Sequence, residues 1–511
     1  MMKISKSHYS DIYEYEIDED IEVQKINEKI NNSKKTVVVQ GLGFVGSAMV
    51  AALSNVIDND TGKSFYNVIG VDLADENNYW KIARANEGKP PVVSTDSNMD
   101  MAYENMLKNK NFIATYSKYA YNVADIVIID VHLDINKKKI GNAYDYSFTY
   151  EFYKKAIEVV AKNVRENTLI MIETTVPPGS TEKVIYPIFQ AGFKERNLDV
   201  SKIYLAHSYE RVMPGKEYLN SIINYYRVFS GINDESKYQA RIFLESFINT
   251  NKYPLSELHS TTASEMSKVL ENSYRAMNIA FMQEWTEYAE CANVNLFEIV
   301  NAIRVRPTHK NIMLPGFGVG GYCLTKDSLL ADWSFNNLFE GRRHLDMSLN
   351  AININDLMPQ HTLSLLQNEL SNNTQIKNIA LLGISYLNDV ADTRYSPSEL
   401  FYDECLQNNM NVYLHDPIVK YWEEKKININ QDLSSFSNKG IDVVVLTVRH
   451  SEYLNFDINS FNSYFPNIRI VIDGFDIIND EFFEQLMNKG IKVIGVGKGH
   501  WKKNIRGNNN E

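Results

Sequence analysis

Thr36-Val37-Val38-Val39-Gln40-Gly41-Leu42-Gly43-Phe44-Val45-Gly46-Ser47-Ala48-Met49-Val50-Ala51-Ala52-Leu53 reads as a β-branched strand, a G-x-G-x-x-G turn and a helix. Gly41, Gly43 and Gly46 permit a tight turn, close approach of a pyrophosphate and tight packing of helix on strand. The helix, read over Ser47–Leu53 behind the turn residues Phe44 and Val45, supplies amide donors and partial positive charge at its N-terminus. A second apolar run, Val68-Ile69-Gly70-Val71, ends at Asp72. A carboxylate there accepts hydrogen bonds from ribose hydroxyls and repels a 2′-phosphate, so NAD is expected rather than NADP. The gap between Gly46 and Asp72 is longer than usual, and the excess is assigned to a loop around Asp58-Asn59-Asp60-Thr61-Gly62.

Further apolar runs follow at the spacing of a parallel sheet covered on both faces: Asp125–Val131, Leu169–Glu173 and Tyr204–Ala206. The second opens onto Thr174-Thr175-Val176-Pro177-Pro178-Gly179, and the third leads to Glu210-Arg211-Val212-Met213-Pro214-Gly215. Ligands of such sheets bind beyond the carboxyl ends of the strands, which places Glu210 for acid/base work or leaves it a surface carboxylate. From about Thr261 one long helix is expected, uninterrupted as far as Arg304, with Thr262-Ala263-Ser264-Glu265 as a capping box. Lys268, Asn272 and Arg275 share one of its faces. Met266, Val269, Leu270, Met277, Ile279, Phe281 and Met282 make it apolar over much of its girth, so it should be buried, plausibly against a second subunit.

Pro315-Gly316-Phe317-Gly318-Val319-Gly320-Gly321-Tyr322-Cys323-Leu324-Thr325-Lys326-Asp327 sets a thiol beside a cation behind four glycines. A nearby cation favours the nucleophilic thiolate; the plain alternative is a Gly-rich loop with a small buried cysteine. A second strand-and-glycine pattern starts at Asn378 and continues with runs at 411–414, 441–446, 468–472 and 491–494. It lacks the full fingerprint, and either holds a mononucleotide or is purely structural. The expected fold is α/β, two Rossmann-like doubly wound domains joined by a central long helix. The segments are an N-terminal extension, partly ordered, over 1–35; an NAD-binding domain over 36–255; a central helical and dimerisation domain with the cysteine loop over 256–370; a C-terminal domain over 371–500; and a disordered tail over 501–511.

The chain has 511 residues, 44% of them hydrophobic and 23% charged, with a net charge of −12. That charge argues against non-specific nucleic-acid binding. No apolar run has the length of a membrane span, and the first 35 residues lack the apolar core of a signal peptide. Cys291, Cys323 and Cys405 show neither metal-ligand nor disulfide spacing, which suits a reducing, cytoplasmic compartment.

The ordered series Gly41–Gly46, Glu173–Gly179, Glu210–Gly215, Lys268 to Asn272, Gly318–Cys323 and Asp392-Thr393-Arg394-Tyr395-Ser396-Pro397 resembles the nucleotide-sugar 6-dehydrogenases, over about residues 36 to 500. The Glu-Arg-Val-Met-Pro-Gly form is most similar to the branch acting on UDP-N-acetylhexosamines, whereas Gly-Tyr-Cys-Leu-x-Lys-Asp resembles the UDP-glucose form. The resemblance implies two NAD-dependent hydride removals from the sugar's primary alcohol, with covalent capture on Cys323 between them, for surface polysaccharide synthesis. By matching position it implies Cys323 as nucleophile and Lys268 and Asn272 as oxyanion stabilisers. Glu210 and Asp327 would position or activate water, and Thr175 would hold it. It assigns cofactor contacts to the fingerprint residues, Asp72, Thr175 and Lys326. UDP-sugar contacts fall to Glu210, Arg211, Val212, Lys268, Asn272, Arg275, Gly316, Gly320, Gly321 and Arg394, with Arg306, His309 and Lys310 as further phosphate partners. A homodimer or larger assembly is expected. The chain departs from the family pattern at Leu387, where lysine is usual, at Leu133 in place of the Thr of Val-x-Thr-Pro, and at Thr325, where proline is commoner. The alternatives are a two-electron β-hydroxyacid-type dehydrogenase and a catalytically silent nucleotide-sugar-binding protein.

Overall fold

The computed structural model describes residues 2–7, 11–58, 60–92, 94–212, 215–370 and 377–502. Met213, Pro214 and residues 503–511 of the expected tail lie outside them. The chain divides into two compact units. Met1–Ile135, Phe148–Val269 and Leu330–Arg342 form the first; Asn136–Ser147, Leu270–Leu329 and Arg343–Glu511 form the second.

The first unit opens with an antiparallel hairpin of β1 (Lys3–Lys6) and β2 (Ile12–Tyr15), then α1 (Glu19–Lys29). Next come β3 (Thr36–Gln40), β4 (Asn67–Val71), β5 (Phe112–Thr115), β6 (Ile126–Ile129), β7 (Leu169–Ile172), β8 (Tyr204–Tyr209), β9 (Val228–Gly231) and β10 (Ser256–Glu257). They form one sheet in the order β10-β9-β8-β7-β6-β3-β4-β5. The six strands β5-β4-β3-β6-β7-β8 are parallel and follow the dinucleotide-fold order 3-2-1-4-5-6; β9 turns antiparallel to β8. All residues of β3, β4, β6 and β7 are buried, as a sheet covered on both faces requires. Val37, Val39, Ile128 and Met171 join the core under one face, and Val38, Ile129, Ile170 and Ile172 the core under the other. The expected loop between Gly46 and Asp72 is present, closed by a bridge between Ile57 and Ser64.

The described residues of the N-terminal extension are folded onto the first unit: Ile26 is fully buried, and the side chain of Tyr15 is covered by that of Tyr79. Two expectations are corrected. The long helix is two helices, α4 (Thr261–Cys291) and α5 (Leu296–Arg304). Asn293 takes a left-handed φ of 55°, which asparagine tolerates, and the Asn295 side chain caps Phe297 and Glu298 amides. The capping box does not form, because Ser260 Oγ accepts from Ala263 N while Glu265 turns inward to Gly179 and Thr181. Within the single chain α4 is covered over only part of its girth. Val269 and Met282 are enclosed, whereas Met266, Leu270 and Phe281 are exposed.

In the second unit β11 (Asn378–Leu382), β12 (Asn411–His415), β13 (Val443–Leu446), β14 (Ile470–Asp473) and β15 (Lys492–Gly495) make a parallel sheet in the order β12-β11-β13-β14-β15. This is the second common doubly wound order, 2-1-3-4-5. Among the described residues no helix is long and apolar enough to cross a membrane, and no cluster of three His, Cys, Asp or Glu could hold a metal ion.

Candidate active site

In the first unit the fingerprint turn leads directly into α2 (Phe44–Ser54), whose N-cap is Gly43. Gly46 allows no side chain, since a Cβ there would run into the carbonyl oxygen of Gly41. Phe44 gives its carbonyl to the Tyr218 hydroxyl, and Val45 lies half-buried beside it. Asp72 caps β4: Oδ2 accepts from Leu42 N at 2.9 Å, Oδ1 from Leu73 N at 2.8 Å. Lys81, on α3 (Tyr79–Asn86), approaches Oδ2 at 3.4 Å. Asp72 is thus already tied to the turn that would carry the pyrophosphate.

Beyond the carboxyl ends of β6, β7 and β8 lies a group of acids. Lys268 donates to the Glu210 carbonyl at 2.9 Å, lies 3.7 Å from Glu210 Oε1, and stands 5.2 Å over the Tyr209 ring. Both residues are buried. Val212 N donates to Glu210 Oε2, and Arg211 donates to Tyr226 O and the Tyr209 hydroxyl. Thr175 is half-buried at the end of β7, next to Thr174, whose hydroxyl donates to Val131 O at 2.9 Å. His207 shares a 2.7 Å hydrogen bond with Ser264, and burial together with the Lys268 charge holds its pKa down at about 3, so its ring is neutral.

Asp130, Glu173 and Arg227 join this group although motif reading passed over them. Arg227 pairs with Glu173 at 2.9 Å, both side chains almost wholly buried. Burial pushes Asp130 well above the usual carboxylate range, and the charges of Glu173 and Glu210 push it further. Burial also raises Glu173, against the pull of Arg227. A charged residue closing each apolar run, Asp130 after β6 and Glu173 after β7, was the available signal.

In the second unit Cys323 is partly exposed in the turn that precedes α6 (Asp327–Asn337), and its carbonyl accepts from Lys326 N and Asp327 N. Asn272 Nδ2 donates to Asp327 Oδ2 at 2.6 Å. Lys326 Nζ lies 3.2 Å from Asp327 Oδ1 and 4.3 Å over the Tyr322 ring. Arg275 is exposed. Arg394 forks onto Asp392, with Nε 2.9 Å from Oδ1 and Nη2 2.6 Å from Oδ2, and lies 5.7 Å over the Tyr322 ring. Arg306, His309 and Lys310 are all exposed.

The glycines of the cysteine loop have a packing role that sequence reading did not anticipate. Gly321 has φ +81°, and a Cβ there would meet the Tyr386 ring at 2.7 Å; at Gly320 it would meet Tyr386 Cβ and Tyr395 O at 2.6 Å. A Cβ on Gly316 would meet Phe475 at 3.0 Å. Thr325, in place of proline, ties the loop by donating to Gly321 O at 2.8 Å. Tyr386 is pushed up to about 12 by burial and by the Asp392 carboxylate, so its phenol stays protonated. Leu133 is buried in the core of the first unit, whereas Leu387 is 37% exposed.

A fingerprint turn on a 3-2-1-4-5-6 sheet, with a carboxylate closing the second strand, defines a dinucleotide-binding oxidoreductase fold. Three models of the UDP-glucose/GDP-mannose dehydrogenase family match the chain: the NAD binding domain over residues 35–245, the central domain over 262–356 and the UDP binding domain over 380–480. The chain belongs to that family, and it is an oxidoreductase that uses NAD. It is 28% identical over 481 residues to a UDP-N-acetyl-D-mannosamine dehydrogenase of Methanococcus aeolicus, spanning 92% of this chain and 98% of that protein. It is 24% identical over 464 residues to the UDP-glucose 6-dehydrogenase of Rickettsia prowazekii, spanning 89% and 98%. The solved UDP-N-acetyl-D-mannosamine dehydrogenase of Pyrococcus horikoshii aligns with a TM-score of 0.74 at 25% identity, covering 91% of this chain and all of that one.

Proposed function

We propose that the protein oxidises the 6-hydroxymethyl group of a UDP-N-acetylhexosamine, UDP-N-acetylmannosamine first among the candidates, to the uronate. The observation that carries this reading is the Cys323 turn, with Asp327 held by Asn272 four residues beyond the thiol. The sugar is suggested by the names of the relatives and by the Glu210-Arg211-Val212 segment. UDP-glucose is the nearest competitor.

When bound, NAD supplies the hydride acceptor for each of two oxidations, and Gly41, Gly43, Gly46 and Asp72 would hold it. The first oxidation gives an aldehyde and releases the hydroxyl proton. The Cys323 thiolate then adds to the aldehyde carbon, forming a C–S bond and an alkoxide. Lys268, whose ammonium is buried, stabilises that oxyanion, and Asn272 donates to the same oxygen or to water. Loss of the second hydride leaves a thioester. Asp327 and Glu210 orient and deprotonate the water that cleaves it, Thr175 holds that water, and the C–S bond breaks to return the thiol and free the uronate. Arg394 and Arg275 face the diphosphate, and the product feeds surface polysaccharide synthesis in the cytoplasm.

We further read the protein as a homodimer. Leu270, Tyr274, Phe281, Trp285 and Tyr288 are all exposed and recur at helical spacing on α4, an apolar stripe that a second copy would cover. Loss of uronate formation in Cys323→Ala, with NAD binding intact, tests the covalent step; unchanged turnover would select a two-electron dehydrogenase instead.

A further inference from the structure

Residues 1–34 precede the part of the chain matched by the family's NAD-binding model, yet those of them that are described are built into the edge of the cofactor domain. We propose that Tyr15 and Ser5, on the β1–β2 hairpin, are positioning residues for NAD. They hold the turn after β4 and the start of α3, so that the Asp72 carboxylate is presented to the adenosine ribose. The inference rests on the NAD-binding assignment and not on the sugar or the covalent step.

The contacts converge on one short turn. Ser5 is fully buried, and its hydroxyl donates to Glu76 O at 2.8 Å while accepting from Trp80 N at 3.1 Å. One side chain thus serves both a carbonyl of the turn and an amide in the first turn of α3. Tyr15, 4% exposed, stacks on Tyr79 with ring centroids 4.0 Å apart and planes 12° from parallel, and its hydroxyl donates to Ala74 O at 3.3 Å. Tyr79 is the first residue of α3, and Lys81, two residues on, reaches both Asp72 Oδ2 at 3.4 Å and Asn78 Oδ1 at 2.7 Å. Ala74, Glu76, Tyr79 and Trp80, which bracket the turn after Asp72, therefore each lean on the hairpin.

The helix behind the hairpin grips the adjoining strand. Thr115 Oγ1 donates to the buried Glu22 at 2.6 Å, and the Thr115 carbonyl accepts from Asp72 N at 3.2 Å. Ser117 bonds Glu19, and Arg84 pairs with Asp11 at 2.9 Å. The N-terminal segment thus braces Asp72 from the turn that follows it and from the strand beside it. A carboxylate that must accept two ribose hydroxyls loses affinity when its support is loose, because ordering it then falls on the binding step.

Isothermal titration of the full chain with NAD, with ADP-ribose and with nicotinamide mononucleotide tests this. Tyr15→Ala should weaken NAD and ADP-ribose by about tenfold, the worth of one stacked aromatic pair, and leave the mononucleotide unchanged. Tyr15→Phe, which keeps the stack, should restore most of the affinity. Combining Tyr15→Ala with Asp72→Ala should cost no more than Asp72→Ala alone, since the brace acts through that carboxylate. Ser5→Ala provides a smaller lesion with the same signature if Tyr15→Ala does not fold. Equal NAD affinity in a folded Tyr15→Ala or Ser5→Ala protein, equal weakening of all three ligands, or additive losses in the double variant would overturn the proposal.

Discussion

Asn272 donates a 2.6 Å hydrogen bond to one oxygen of Asp327, and Lys326 approaches the other at 3.2 Å. Asp327 is 1% exposed, so its carboxyl group is held by two neighbours rather than by solvent. A carboxylate fixed in this way has one task in the proposed chemistry, orienting and deprotonating water. Asp327→Asn keeps the shape and removes the base. Turnover should fall by about 10²–10⁴-fold, the range for a positioned acid or base, with sugar-nucleotide KM changed far less. Intact-mass analysis should then find sugar bound to Cys323, because hydrolysis is the step that stalls; a free thiol during turnover would count against this role.

Glu265 makes stability depend on pH. Burial pushes its pKa to about 8 from an ordinary 4.5, although Thr181 and Gly179 donate to it and pull the other way. The folded chain therefore keeps a proton that the unfolded chain releases above about 4.5. Its contribution is fully present at low pH and is lost as pH rises toward about 8, each pKa unit being worth about 1.4 kcal/mol. Glu265→Gln should flatten this decline. Urea midpoints between pH 5 and 9 would show it, and identical slopes in the two proteins would contradict it.

Arg227 is the counter-ion for a buried acid group, pairing with Glu173 and interacting electrostatically with Asp130. Arg227→Met leaves Glu173 uncompensated and should destabilise by about 3–5 kcal/mol. Adding Glu173→Gln should recover most of that. A double variant as unstable as the sum of the singles would mean that the ion pair is not what Arg227 contributes.

In the proposed dimer the exposed stripe on α4 is the surface between the copies. Trp285 and Tyr288 are 44% and 65% exposed, and charging both with Trp285→Asp and Tyr288→Asp should halve the mass seen by light scattering while folding is retained. A monomeric mass in the unaltered protein would refute the dimer.

Much of this was legible because strand ends in a doubly wound sheet announce themselves. Asp72 and Glu210 each follow an apolar run and were picked out as candidates for the ligand edge, whereas Asp130 and Glu173, which close their runs in the same way, were not. The same runs located both sheets. What escaped depends on pairings between distant segments. Glu265 fits a capping box locally, yet Gly179 and Thr181 outbid the helix start for its oxygens. Asn293 ends α4 through a left-handed turn that no glycine marks. Ser5 and Tyr15 belong to four-residue strands too short to show alternation, and their value lies in Glu76 and Tyr79, more than sixty residues away. The apolar girth of α4 was visible, but which part faces outward was settled only by the rest of the fold.

The central claim is that one thiol divides a four-electron oxidation into two hydride transfers. Its most direct test is the amount of NADH formed from a limiting quantity of UDP-N-acetylmannosamine with excess NAD, run beside the other UDP-hexoses. Two NADH per sugar, falling to no uronate in Cys323→Ala, is the predicted result. One NADH per sugar, with turnover that survives loss of Cys323, would contradict it.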